Sequence, residues 1–316
     1  MSALPRPLRL IGAPTDVGAS VRGASMGPEA LRVAGLAEAL TRLGQTVEDA
    51  GNLHGPANPG QPPAAHGYRH LAEVLAWNQQ VFDAVGLALR DGRLPLLLGG
   101  DHSLAIGSIT AVARHCAAVG KTLRVLWLDA HDDCNTPAIT PSGNLHGMPV
   151  ACLCGLGPEA LTRLARLPDG RPALQPGQLR QVGIRSVDPA EKRLVHRLGL
   201  EVFDMRCVDE LGMRTVMAQA LLGVDANTHL HLSLDLDFLD PGIAPGVGTP
   251  VRGGASYREA QLCMELIADT GALASMDLVE LNPARDVHNQ TAELAVDLVE
   301  SLFGKSTLMR PRADGL

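Results

Sequence analysis

Aromatic residues are scarce: two Trp, two Tyr and four Phe make up 3% of the 316 residues. Any core must therefore be aliphatic, and 46% hydrophobic residues suffice for a large one. Long apolar runs are missing too. No stretch reaches the ~18 apolar residues that mark a membrane span, so no membrane association is expected. The opening MSALPRPLRLIGAP has too short an apolar part for a signal peptide. Basic runs are absent and the formal charge is −7, which argues against nucleic acid as a partner. The six cysteines, at 116, 134, 152, 154, 207 and 263, give one close pair, with no second pair or His cluster to complete a zinc pattern. Reduced thiols in a cytoplasmic protein are the expectation. No internal repeat appears, and the length suits one wide α/β domain over residues 1–316.

What is present is alternation. Short apolar runs predict strands over 8–11, 46–49, 94–98, 125–128, 179–184, 201–204, 229–234 and 273–279. Helical stretches are predicted over 29–43, 68–90, 158–167, 190–198, 208–222, 257–270 and 291–303, with another opening after Ser103. The Pro-rich 55–67 reads as an extended surface connection. Strand and helix in turn mean βαβ crossovers. The expected fold class is α/β, doubly wound, with about eight parallel strands and helices on both faces. A closed eight-stranded barrel fits the same alternation. In either case the residues just past each strand gather at one edge.

Acids and histidines fall at that edge. After the strand 125–128 come Asp129, His131 and Asp133, at i, i+2 and i+4, where extended side chains can share a face. His102, the pair Asp235 and Asp237, and Glu280 follow three other strands. Each group alone has an ordinary structural explanation, as a helix cap, a solvated strand end or a core histidine. Their coincidence is the signal. Four clustered carboxylates repel one another and raise one another's pKa unless cations neutralise them. Two divalent ions would do so. Carboxylate with imidazole suits Mn²⁺ better than a thiolate-seeking ion. Two metals about 3.5–4 Å apart can bridge a water and make it hydroxide near neutral pH.

The motifs Gly99-Gly100-Asp101-His102-Ser103, Asp129-Ala130-His131-Asp132-Asp133 and Ser233-Leu234-Asp235-Leu236-Asp237 resemble the ureohydrolase signatures. Within that group the chain is most similar to the arginase family. The resemblance rests on Asn135-Thr136-Pro137, on 142–149 (SGNLHGMP), on Gly248-Thr249-Pro250-Val251 and on Val279-Glu280-Leu281-Asn282-Pro283. The start, from Ile11-Gly12-Ala13-Pro14 to Met26-Gly27-Pro28, also matches, so it covers about 8–303.

That resemblance implies two Mn²⁺ ions and hydrolysis of L-arginine to L-ornithine and urea by a metal-bridging hydroxide. His102, Asp129, Asp133 and Asp235 would hold one ion. Asp129, His131, Asp235 and Asp237 would hold the other, with Asp129 and Asp235 bridging. Glu280 would pair with the guanidinium of the small-molecule substrate, and His146 would pass a proton to the leaving amine. Asn135 and Ser142 would bind the α-carboxylate and Asp188 the α-ammonium, with Thr249 in support. Asp101 reads as a structural acid. A homotrimer or homohexamer is implied. Three positions depart from the family pattern: Asp132, where a small or hydroxyl residue is common; Cys134, which replaces a bulkier apolar residue; and Ser186, where an Asp is common. Ser186 puts affinity at the α-amino end in question. The alternatives are cleavage of another guanidino compound such as agmatine or guanidinobutyrate, a histone-deacetylase-like amide hydrolase, and a non-catalytic regulator that binds arginine or ornithine. The paired metal motifs argue against the second, and the intact ligand set with His146 argues against the third.

Overall fold

The computed structural model describes residues 6–60, 64 and 66–305. The elements run β1 (Leu8–Ala13), α1 (Gly27–Val33), α2 (Leu36–Arg42), β2 (Val47–Asn52), α3 (Leu71–Arg90), β3 (Leu94–Gly99), α4 (Ala105–Val119) and β4 (Thr122–Leu128). Then follow α5 (Pro149–Leu153), α6 (Glu159–Leu164), β5 (Leu179–Ile184), α7 (Pro189–Leu198), β6 (Glu201–Asp204), α8 (Met205–Leu211), α9 (Met213–Ala220), β7 (Thr228–Asp235), α10 (Tyr257–Thr270), β8 (Leu273–Val279) and α11 (Gln290–Leu302).

The eight strands form one sheet in the order β2-β1-β3-β8-β7-β4-β5-β6, and every pairing is parallel. β2 and β6 are free edges, so the sheet is open and the barrel is excluded. Strand alternation sorts the core into two layers. Leu96, Leu98, Leu126, Leu128, Leu230, Leu232 and Leu234 pack with α1, α2, α9, α10 and α11. Leu97, Val125 and Trp127 face the other way, against α3 to α7. Helices thus cover both faces, as the alternation predicts.

Two predicted helices are broken. Hydrophobic periodicity runs unbroken through 29–43 and 208–222, yet the backbone turns left-handed at Gly35 (φ 80) and leaves the helical region at Gly212 (φ 78). Glycine accepts a positive φ that other residues resist. Each stretch becomes two short helices meeting at an angle, α1 with α2 and α8 with α9. The sequence reading also missed α5, a single turn and a half begun by Pro149 at its first position. Of the Pro-rich connection over 55–67, residues 61–63 and 65 lie outside the described residues.

The strand face toward α4 is not wholly apolar. His229 and His231 of β7 and Ser275 and Asp277 of β8 lie on it, all 3% exposed or less. They satisfy one another, as burial of polar groups requires. Ser275 Oγ is 2.9 Å from His229 Nε2 and 2.8 Å from His231 Nδ1, and His231 Nε2 is 3.2 Å from Asp277 Oδ2. Ser108 of α4 donates to the same Asp277 oxygen.

Candidate metal centre

Four strands that are neighbours in the sheet, β3, β8, β7 and β4, end beside one another and carry the predicted acids and histidines on the loops that follow. His102 comes from the turn after β3. Asp101 caps it: its Oδ1 accepts the Ser103 N–H at 3.0 Å and its Oδ2 accepts the Gly18 N–H at 2.8 Å. Both Asp101 oxygens are thus engaged by backbone N–H groups. The His102 ring stacks on Trp127, with centroids 4.0 Å apart, and its Nε2 lies 2.9 Å from Ser233 Oγ. Those contacts fix the ring so that Nδ1 faces three carboxylate oxygens: Asp129 Oδ2 at 3.1 Å, Asp235 Oδ2 at 3.2 Å and Asp133 Oδ2 at 3.3 Å.

The second histidine faces the other side of the same aspartate. His131 Nδ1 is 3.5 Å from Asp129 Oδ1 and 3.1 Å from Asp237 Oδ2. Asp129 thus presents one oxygen to each imidazole. Trp127 Nε1 donates to its Oδ2 at 2.8 Å and the His131 N–H to its Oδ1 at 2.7 Å, which holds the carboxylate in that orientation. Two groups of donors have the spacing of metal ligands: His102, Asp129 and Asp133, and Asp129, His131 and Asp237. Asp235 reaches the first through its Oδ2, while its Oδ1 accepts the Asp237 N–H at 2.7 Å. Thr249 supports the second group by donating to Asp237 Oδ2 at 3.0 Å.

The residues fit a metal. His102 Nδ1 is buried and makes no hydrogen bond although three carboxylate oxygens surround it. An orphaned nitrogen among acids is what a missing cation leaves. The electrostatics agree. Burial alone would lower the pKa of His102, but Asp129, Asp133 and Asp235 outweigh it and hold it well above the usual value. Burial likewise opposes protonation of His131, and Asp237 and Asp129 overcome it, pushing it up to about 12. Burial, then the neighbouring Asp129, pushes Asp133 up to about 6. Burial, with Asp237 and Asp129, holds Asp235 well above the carboxylate range. The two imidazoles and Asp235 thus hold protons in the place of cations.

The stretch after β4 is extended only in part. His131 makes a lone parallel bridge to Ser186, but Asp133 has φ 51. Glu280 has φ 63. Left-handed backbone at a non-glycine residue costs on the order of 1–3 kcal/mol, and such strain gathers at functional sites. Asp133 therefore reaches the cluster through a turn as well as through strand alternation. Asp132 belongs to neither group of donors. It is 3% exposed, its Oδ1 has no partner, and burial, then Glu191, pushes it up to about 8. Cys134 is fully buried and burial pushes its thiol far up, so it packs as a small hydrophobe. All six cysteines are free.

A cleft of about 130 Å³ opens onto the cluster, lined by His131, Asp133, Asn135, Ser142, His146, Ser186, Asp188, Glu191, Asp235 and Thr249 among others. A larger cavity of about 490 Å³ lies away from these residues, between the loop after β1 and the segment after β2; the smaller one holds the chemistry. His146 Nδ1 is 2.9 Å from Glu280 Oε1, which also accepts the His102 N–H at 2.8 Å. Burial opposes the His146 charge, but Glu280 outweighs it and the pKa rises to about 9. Asn135 Nδ2 donates to Asp188 Oδ2 at 3.0 Å, joining two predicted substrate residues. Ser142 is exposed, and its Oγ accepts the Asn144 N–H at 3.2 Å.

The sequence reading gave no role to Trp127, Ser233 or Glu191. Trp127 and Ser233 each stand two residues before a predicted ligand on the same strand face, so alternation pointed to them. Glu191 stands three residues after Asp188. One of its oxygens accepts the Cys134 N–H at 2.8 Å and the other the Asp188 N–H at 3.1 Å.

The arginase family matches residues 6–304. The chain is 43% identical over 305 residues to the arginase of Bacillus caldovelox, covering 96% of this chain and all of that one. It is 43% identical over 303 residues to the arginase of Bacillus subtilis, covering 96% and 99%. The solved arginase of Bacillus caldovelox superposes with a TM-score of 0.89 at 42% identity, over 96% of this chain and 100% of that one. No helix among the described residues is long and apolar enough to cross a membrane. With one open parallel sheet, a carboxylate shared between two histidines at its edge, and relatives matched from end to end, the chain belongs to the arginase family.

Proposed function

We propose that this chain hydrolyses L-arginine to L-ornithine and urea with two manganese ions, and that it works as a single domain over residues 1–316. The observation that carries the reading is Asp129, whose two oxygens face two different histidines. His102, Asp129, Asp133 and Asp235 would hold one ion, and Asp129, His131, Asp235 and Asp237 the other. Four carboxylates with two imidazoles suit Mn²⁺. When bound, such a pair supplies Lewis acidity and lowers the pKa of a shared water to near neutrality.

The chain's own residues do the rest. Glu280 is an anion at the floor of the site, where burial opposes its charge and His146 stabilises it, so that its pKa stays low. A carboxylate matches the planar donor array of a guanidinium. A guanidinium drawn to Glu280 competes for the oxygen that holds His146 protonated. The imidazole is then free to give its proton to the departing amine, which a group titrating close to neutrality does well. At the far end, Asn135 and Ser142 donate to the substrate α-carboxylate and Asp188 accepts from the α-ammonium. Free thiols support a cytoplasmic setting. The homotrimer or homohexamer follows from the family resemblance alone, and light scattering tests it.

Urea release from a small guanidine panel with added Mn²⁺ tests the reading. Agmatine lacks the carboxylate and guanidinobutyrate the ammonium. Each leaves polar groups of a partly open pocket without their substrate partner, at about 1–3 kcal/mol per group less what water restores. Over two or three contacts, kcat/KM for arginine is expected to exceed theirs by about 10²–10³, since water re-solvates part of an open pocket. Agmatine cleaved as well as arginine sinks the substrate assignment and leaves the hydrolytic chemistry standing.

A further inference from the structure

Arg185 has no part in the reading above, yet it joins the parts of one half of the metal centre. It follows β5, and its guanidinium spends all its reach on main-chain carbonyls. Nη2 donates to Asp237 O at 2.6 Å, Val251 O at 2.9 Å and Leu239 O at 3.2 Å. Nη1 donates to Gly183 O at 3.2 Å and Phe238 O at 3.3 Å, and Nε to Val251 O at 3.3 Å. The Arg185 N–H donates to Ala130 O at 2.9 Å, and the Ser186 N–H to the same oxygen at 3.0 Å. Ala130 lies between Asp129 and His131, and its own N–H donates to Asp237 Oδ1 at 3.1 Å.

Residue 185 therefore clamps three segments together: the one carrying Asp129 and His131, the one carrying Asp237, and the loop that brings Thr249 to Asp237 Oδ2. Room for the guanidinium depends on Gly254, where a Cβ would stand 2.6 Å from Nη2. None of the side-chain bonds of Arg185 reaches the turn of His102 or the residues around Asp133. We propose that Arg185 is a positioning residue for the site of Asp129, His131 and Asp237. It sets that site's metal affinity and leaves the site of His102, Asp129 and Asp133 intact. The inference rests on the two-metal reading. Lysine cannot substitute, because three donors on one nitrogen do not span five carbonyls.

The test titrates Mn²⁺ into metal-free wild type, Arg185→Gln and Arg185→Lys by calorimetry, with elemental analysis of the bound metal. Wild type is expected to take up two ions per chain. Both variants are expected to keep one site at wild-type affinity and weaken the other about 10–100-fold, the usual cost of losing a partner that orients a ligand. Arg185→Lys keeps the cation and the stem, and it decides the matter if Arg185→Gln does not fold. In an Asp237→Asn background, which already lacks the clamped site, Arg185→Lys is expected to leave the remaining affinity unchanged. Equal weakening of both sites, no weakening of either, or a further tenfold loss in the Asp237→Asn background overturns the proposal while the two-metal reading stands. Wild type that binds fewer than two ions overturns both.

Discussion

Filling the metal centre has to expel protons, and the structure says which groups hold them. In the metal-free protein the neighbouring carboxylates outweigh burial at both histidines. They hold His102 well above its usual value and push His131 up to about 12. Both imidazoles therefore carry a proton at neutral pH. Imidazole and carboxylate ligands bind metal only when deprotonated, so uptake of the full complement releases those two protons together with any that Asp235, held well above the carboxylate range by burial and by Asp237 and Asp129, carries. The sign follows: the metal-free form binds more protons, so affinity rises with pH. Each proton contributes a factor of ten per pH unit, so the two imidazoles alone raise the combined binding constant about 100-fold per unit near neutrality, or about 2.7 kcal/mol. As pH falls through the value of about 6 to which burial and Asp129 push Asp133, that carboxyl adds a further proton and the slope steepens. Titration calorimetry of Mn²⁺ into metal-free protein, repeated in buffers of different ionisation enthalpy, counts the protons directly. A count near zero at neutral pH, or a slope that does not steepen on acidification, would refute the account of the cluster as a set of ligands competing for protons and metal.

Asp129→Asn is expected to bind no metal, because each of its oxygens faces a different histidine, whereas Asp237→Asn keeps one ion; elemental analysis decides, and an ion held tightly by Asp129→Asn rules out the shared ligand. His146→Ala is expected to keep both ions and lose about 10²–10⁴ in kcat, with part of the rate restored by added imidazole; loss of metal instead would make His146 a ligand. His229 governs acid stability. Burial, with His231 and His115 nearby, pushes it down to about 3. The unfolded chain takes up this proton below about pH 6.5 and the folded chain does not, so stability is lost as pH drops from that value toward about 3, by up to about 1.36 kcal/mol per unit. Denaturant unfolding at several pH values should show a flatter dependence for His229→Gln, and identical slopes for variant and wild type would remove His229 from the account.

Local pattern alone set a good deal of this protein. Short apolar runs located all eight strands, and the residues just past them were readable as acids and histidines because strand ends are local features. Alternation also put Trp127 and Ser233 on the faces from which they hold Asp129 and His102. The same locality failed at Gly35 and Gly212, where the apolar stripe continues across a break in the backbone, and at Asp133, whose left-handed turn has no sequence signature. Tertiary structure decided which strands are neighbours. β3, β8, β7 and β4 lie side by side although they come from distant parts of the chain, and that order, set by the packing of crossovers on both faces, brings His102, Asp129, Asp235 and Glu280 together. Likewise nothing near Arg185 in sequence indicates that its donors meet carbonyls 52 to 66 residues further along. Side-chain direction is written into each strand by its own backbone, whereas contact between strands exists only once the whole sheet has formed.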